Sequence, residues 1–384
     1  MTDIPLVRLR PIADAHHGWV ALLLDAPASI DCHELTRLFG EFGLFEALGP
    51  LLCVVDVATP NCSDEIDALV PAEHIVLRLP VAACVAEANC QHIGRLRELG
   101  FRLMANGLPP AGQSLCPGVD TLAVACGDDS ATPSLPAGIS GRHLAVDVNS
   151  PLLFERCRQA GFQWFAGDYP LHPTCVPQGG GSTRHALLLQ LLTLISRDAE
   201  SHEIEEVIKH DAHLSYQLLR LVNSVAFSLS NKITSFGQAI MLLGRRQLQR
   251  WLQLLLYARP EGSGKSPLLP RAAARAAMME ALCAGHGRDV QDRAFMAGMF
   301  SLLDVMLGMS LERIVEPLNL SDDVVQALLK RDGPLGPAMR VIDAAESLDD
   351  TLAEALAEAG VDAAAWTIAL VRSYRWAIRV SAEA

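Results

Sequence analysis

Pro177-Gln178-Gly179-Gly180-Gly181-Ser182 organises this sequence, because it has the composition of a flexible connector and the hydrophobic periodicity changes across it. On its N-terminal side, short apolar runs alternate with helical segments. Val20-Ala21-Leu22-Leu23-Leu24, Leu51 to Val57, His74 to Leu79, Phe101 to Ala105, Thr121 to Ala125 and His143 to Asp147 have the length and apolar continuity of strands buried on both faces. Ala83 to Leu99 and Pro151 to Ala160 are amphipathic segments between them. Strands alternating with helices imply βαβ units and a largely parallel sheet. The 177 residues available fall short of the roughly 250 usual for a (β/α)8 barrel, so an abbreviated or distorted TIM-barrel-like domain is expected.

On the C-terminal side the pattern is helical almost throughout. Arg184 to Ser196 is apolar on more than one face, as a buried helix would be. Asp211 stands where it would cap a helix over Ala212 to Val222, and Ser235 to Gln238 has capping-box spacing before a helix that stops at Gly244. Arg245 to Tyr257 follows, and further helices are expected at Arg271–Ala284, Asp289–Leu307, Leu311–Glu316, Asp322–Lys330, Pro337–Ala345, Thr351–Ala359 and Asp362–Val380. The fold class is α/β then all-α, with residues 1–177 and 184–384 as domains and 178–183 as the linker.

Charge divides unevenly. Residues 1–177 carry 10 Arg, no Lys and 20 Asp+Glu, a net of −10, whereas residues 178–384 carry 21 Lys+Arg and 24 Asp+Glu, a net of −3. Neither half has the basic excess of a nucleic-acid binder. No apolar run reaches the ~18 residues of a membrane span, and Met1-Thr2-Asp3-Ile4-Pro5 does not open a secretory signal, so a cytoplasmic location is expected. Nine of the ten cysteines precede residue 178 and none form a CxxC pair. The expectation is a set of reduced thiols acting as small hydrophobes, without a zinc site.

Leu218-Leu219-Arg220-Leu221-Val222-Asn223-Ser224, then Lys232 to Ile240, Leu243-Gly244, Leu248-Gln249-Arg250-Trp251 and Phe295 to Leu303 resemble the HDOD domain, a relative of HD phosphohydrolases that generally lacks their metal-binding residues. Such domains often follow an EAL-like domain, the fold of cyclic di-GMP phosphodiesterases. Gly100 to Leu108 is similar to that family's strand ending in paired aspartates, and Phe162 to Tyr169 resembles its closing segment. The resemblance implies a degenerate, EAL-like domain joined to an HDOD domain in a bacterial-type signalling protein.

An active EAL domain needs carboxylates that hold divalent cations, and a Lys near the attacking water. By the resemblance, the signature Glu falls at about Ala21, the paired aspartates at Asn106 and Gly107, the Lys near Ala123 and the closing Gln at Ala166. Asp56, Asp120 and Asp147 remain near strand ends and read as caps or surface residues. In the helical half, the HD metal-binding pair would fall at Ser301-Leu302, and Asp211 matches a helix-opening Asp. The expectation is therefore a protein without catalytic residues, metal or other cofactor, acting through protein–protein contacts of the HDOD domain with signalling partners, modulated by the EAL-like domain, and open to self-association. Arg245, Arg246, Arg250 and Trp251 are the candidate interaction surface, because Arg and Trp dominate interface energies; an ion-paired helix face is the plain alternative. Two other functions compete. One is a metal-dependent nucleotide phosphohydrolase built on His185, His210, Asp211 and Asp304, with His202 and His213 nearby. The other is a non-hydrolysing cyclic di-GMP receptor using Arg8, Arg10 and Arg102.

Overall fold

The apolar runs of the first half read as continuous because one face of each strand fills a barrel and the other lies under helices. The computed structural model describes residues 6–26, 32–60, 71–127, 134–136, 138–172, 181–209, 211, 214, 236–258, 265–318, 320–347 and 350–383. Strands β1 (Arg8–Asp14), β2 (Trp19–Asp25), β3 (Leu52–Asp56), β4 (Ile75–Pro80), β5 (Arg102–Asn106), β6 (Thr121–Ala125), β7 (Leu144–Val146) and β8 (Trp164–Ala166) close in sequence order. β2 to β8 are parallel, while β1 runs antiparallel to both its neighbours. Alternation decides which side chains go inside: Ala21 and Leu23 of β2 enter the barrel and Leu22 and Leu24 pack outward. Ile12, Val54, Val76, Met104, Ala123, Leu144, Val146, Trp164 and Ala166 complete the filling, the bulk of Trp164 offset by three alanines.

All six expected strands are present, and β1 and β8 are additions. The barrel is abbreviated in its helical layer, since the link from Gly107 to Asp120 contains no helix. Helices α1 (Cys32–Phe39), α2 (Leu44–Leu48), α3 (Val81–Val85), α4 (Cys90–Glu98) and α5 (Pro151–Gln159) cover parts of the outside. Ser150 caps α5 by accepting from the Leu153 amide at 3.1 Å.

The helical half contains α6 (Gly181–Ser196), α7 (Ser201–Lys209), α8 (Phe236–Tyr257), α9 (Leu269–Leu282), α10 (Arg288–Phe300), α11 (Leu303–Leu307), α12 (Leu311–Val315), α13 (Asp322–Lys330), α14 (Gly336–Glu346), α15 (Leu352–Ala359) and α16 (Ala363–Glu383). α6 begins three residues before the expected Arg184, inside the stretch read as linker. The stop expected at Gly244 is a bend within α8, where φ is 73°. The single helix expected over Asp289–Leu307 is interrupted at Ser301-Leu302. Most of Ala212–Val222 and Ser235 lie outside the described residues. α9 and α10 cross at backbone contact, since a Cβ on Gly298 would lie 2.6 Å from Ala276 Cα.

The halves meet along a seam. Along β1, β8 pairs only with Ile12–Asp14, leaving the start of β1 without a strand on that side among the described residues. Donors from α16 satisfy it instead. Trp366 Nε1 donates to the Val7 carbonyl at 2.8 Å and the Tyr374 hydroxyl to the Leu9 carbonyl at 2.5 Å. Tyr374 also stacks on Trp19, with ring centroids 5.7 Å apart.

The cysteines require a correction. Cys53, Cys84, Cys126, Cys157 and Cys283 are free and buried as expected, but Cys90 and Cys116 form a disulfide with Cα atoms 5.3 Å apart. Their 26-residue separation matches no short motif, so spacing could not reveal the pair. Burial pushes the Cys53 thiol up to about 12, which removes its reactivity near neutral pH.

Candidate functional site

The parallel strands of the barrel direct their C-terminal ends to one mouth, the face from which such barrels perform chemistry. Of the positions assigned to catalysis by the EAL resemblance, Ala21, Ala123 and Ala166 are fully buried in the apolar filling. Val20, beside Ala21, packs on the same cluster, so a shift of one residue in the assignment still meets an apolar side chain. Asn106 ends β5, and Gly107, at φ 111°, donates its amide to the Ala123 carbonyl at 2.7 Å. Two carboxylates at the mouth are each paired with an arginine. Asp56 ends β3 and accepts from Nε and a terminal nitrogen of Arg78 at 2.5 and 2.6 Å; Asp147, after β7, lies 3.8 Å from Arg10. Both carboxylates are thus ion-pair members, not caps. Asp120 lies at the other end of the barrel, before β6, and accepts from the Thr121 hydroxyl at 3.1 Å.

The three arginines weighed for cyclic di-GMP do not converge. Arg8 and Arg10 lie on the mouth side of β1, whereas Arg102 opens β5 at the opposite end.

In the helical half, Ser301 falls in the break between α10 and α11 and is buried. Its hydroxyl donates to the Gly298 carbonyl at 2.7 Å and accepts from Arg275 at 3.0 Å. The remaining guanidinium nitrogens of Arg275 donate to both carboxylate oxygens of Glu346, at 2.9 and 2.6 Å. Burial opposes the Glu346 charge, but the guanidinium overcomes it and holds the carboxyl below the usual carboxylate range. A fixed positive charge therefore stands where the HD resemblance places metal ligands. Among the described residues, no group of three or more His, Cys, Asp or Glu side chains is arranged to hold a metal ion. His185 Nε2 donates to the Leu256 carbonyl at 3.1 Å, and the Asp304 carboxylate sits on α11 near the Tyr257 phenol. Asp211 accepts from the Leu214 amide at 3.0 Å, the i+3 geometry of an N-terminal cap. His202 lies exposed in the first turn of α7, while His210 and His213 lie outside the described residues.

One helix joins the two centres. One turn before Arg275 on α9, Arg271 donates to Asp168 at 2.9 Å and to the Gly167 carbonyl at 2.7 Å. Gly167 and Asp168 directly follow β8, in the segment resembling the EAL closing motif. The backbone is crowded there: a Cβ on Gly167 would lie 2.3 Å from the Val148 carbonyl oxygen. Sequence reading missed Arg271, Arg275 and Glu346. The available signal was the run Ala272-Ala273-Ala274-Arg275-Ala276-Ala277, where one charge interrupts an alanine face four residues after another.

The candidate interaction residues engage within the chain. Arg250 lies 2.5 Å from Glu280 and 3.1 Å from Asp292, and Arg246 lies 3.3 and 2.5 Å from the same two carboxylates. The Arg250 guanidinium also stands 4.2 Å over the Phe295 ring. Arg245 points elsewhere, to Asp198 at 3.4 Å and the Ala199 carbonyl at 2.5 Å. Trp251 is half-buried against the core. No single helix among the described residues is long and apolar enough to cross a membrane.

The HDOD domain model matches residues 184–315. Over 336 residues the chain is 27% identical to the cyclic di-GMP phosphodiesterase CdgJ of Vibrio cholerae, covering 84% of this chain and 78% of CdgJ. It is 33% identical over 216 residues to the uncharacterized protein YuxH of Bacillus subtilis, covering 55% of this chain and about half, 53%, of YuxH. The EAL domain of DcpA from Mycobacterium smegmatis aligns with 42% of this chain and 89% of its own length, at 13% identity and a TM-score of 0.36. This chain thus carries an HDOD domain at residues 184–315, preceded by an eight-stranded closed barrel.

Proposed function

We propose that this chain is a non-catalytic regulatory protein of cyclic di-GMP signalling, in which the HDOD half contacts partner proteins and the barrel biases that contact. The observation carrying this reading is the paired replacement of chemistry: buried alanines at the barrel positions and the Arg275–Glu346 pair beside Ser301. α9 is the element through which one half acts on the other. A change at the segment after β8 alters the Gly167 and Asp168 contacts of Arg271, and the same rigid helix carries Arg275 into the helical core. With large apolar contacts around it, such a junction favours two discrete packings over continuous deformation.

The likeness to CdgJ supports a second reading, hydrolysis of cyclic di-GMP. Asp56 and Asp147 at the mouth would then have to leave Arg78 and Arg10 to bind cations. Partner capture tests the regulatory reading. Full-length protein and Arg271→Ala are used as baits in a native cell extract, and the variant is expected to change the amount of captured partner severalfold while remaining folded. Equal capture by the two would remove the coupling, and absence of any partner under all growth conditions would contradict the regulatory function.

A further inference from the structure

A cavity of about 490 Å³ opens at the end of the barrel opposite the Arg271 contact, within the usual volume range of small-molecule sites. The starts of β4, β5, β6 and β8 surround it. Val76, Met104 and Trp164, members of the apolar barrel filling, form its floor, and Phe101 adds a second aromatic ring. Arg97, Arg102 and Arg142 line it and are exposed, and none is in an ion pair among the described residues. This sets them apart from Arg10, Arg37, Arg78 and Arg158 of the same half, each of which has a carboxylate partner. Asp120 is the one carboxylate among the described lining residues.

Two glycines build the wall. Gly118 has φ 100°, and a Cβ there would lie 3.0 Å from Arg97 Cδ, so a side chain at this position would displace the arginine. The Gly141 amide donates to the Asp120 carbonyl at 2.8 Å, and a Cβ at Gly141 would overlap that oxygen. This contact holds Arg142 and Asp120 at the same rim. A concentration of guanidiniums without carboxylate partners, in a half with a net charge of −10, is a local reversal of the surrounding field.

We propose that this cavity binds a nucleoside mono- or diphosphate. The guanidinium forks suit phosphate oxygens, the apolar and aromatic floor suits a planar base, and Asp120 can accept from an amino or hydroxyl group of the nucleoside. The site lies away from the barrel mouth and does not depend on the regulatory reading.

Calorimetric titration of the full-length protein with GDP and ADP, and with pyrophosphate as the phosphate-only probe, tests the proposal. At least one nucleotide is expected to saturate one site and to bind about tenfold or more tightly than pyrophosphate. Arg102→Ala and Arg142→Ala are each expected to weaken it about tenfold, as loss of a charged hydrogen bond does, whereas Arg158→Ala leaves it unchanged. Raising the salt concentration should weaken binding further. Arg102 and Arg142 are exposed, so the variants are expected to fold; Arg102→Gln supplies the comparison where an alanine variant fails. The proposal is overturned by no saturable nucleotide binding up to millimolar concentration, by equal affinity for pyrophosphate, or by affinity indifferent to Arg102 and Arg142.

Discussion

In the barrel, the positions assigned to a catalytic Glu, Lys and Gln are held by Ala21, Ala123 and Ala166, whereas in the helical half the position of the metal-binding pair is held by Ser301 against a buried arginine. The two replacements differ in physical consequence. Small apolar side chains complete a packed interior and communicate with nothing beyond it. A buried guanidinium demands a carboxylate, and Glu346 on another helix supplies it, so α9, α14 and the α10–α11 break become mutually dependent. The barrel centre is apolar filling, and the Arg275–Glu346–Ser301 cluster is a polar fastener on the helix whose Arg271 reaches the barrel.

The sharpest way to break this contrast is to restore a charge to the barrel. Ala123→Lys would bury an ammonium without a partner and is expected to cost more than about 4 kcal/mol, measured by denaturant unfolding. A cost under about 1 kcal/mol would mean that the interior is wet or adaptable. Arg275→Ala is expected to cost about 3–5 kcal/mol, because it leaves Glu346 without its counter-charge, while Arg275→Met combined with Glu346→Leu should be close to neutral. If the double variant is as damaged as the single one, packing and not charge pairing fixes this junction. The same pair sets an acid dependence. The Glu346 carboxyl is held below its ordinary 4.5 in the folded state, so its stabilisation is complete above pH 4.5 and is lost as pH falls through the folded value. Unfolding free energy should therefore drop less steeply below pH 4.5 in Glu346→Gln than in the wild type. The smallest effect belongs to Asp211. Asp211→Ala should cost about 1 kcal/mol and Asp211→Asn almost nothing, as for a cap; equal losses would point to a role for the charge itself.

How much was legible in the sequence follows from burial. β2 to β7 were readable because burial on both faces makes a strand uniformly apolar, as in Leu51-Leu52-Cys53-Val54-Val55. β1 was not, because Arg8-Leu9-Arg10-Pro11-Ile12-Ala13-Asp14 carries the charges of the mouth and a proline, and its antiparallel course belongs to no βαβ unit. β8 is only three residues long. Asp322–Lys330 matched to the residue, since acidic residues fill its first turn and Arg331 stops it in the left-handed region. α7 was hidden by its charges. In the candidate site, Arg246 and Arg250 were visible as neighbours on one helix face, but Glu280 and Asp292, which claim them, stand on two later helices. Periodicity places side chains on faces. It does not say which faces meet, and the Arg271 and Arg275 contacts exist only because distant elements do.

The measurement that bears most directly on the central claim is turnover of cyclic di-GMP by the purified full-length protein with Mg²⁺ or Mn²⁺. With Ala21, Ala123 and Ala166 in the barrel interior and the mouth carboxylates paired to Arg10 and Arg78, linear product is expected to stay at the level of a heat-inactivated control. Reproducible cleavage abolished by Asp56→Asn or Asp147→Asn would contradict the account and place a working metal centre at the barrel mouth.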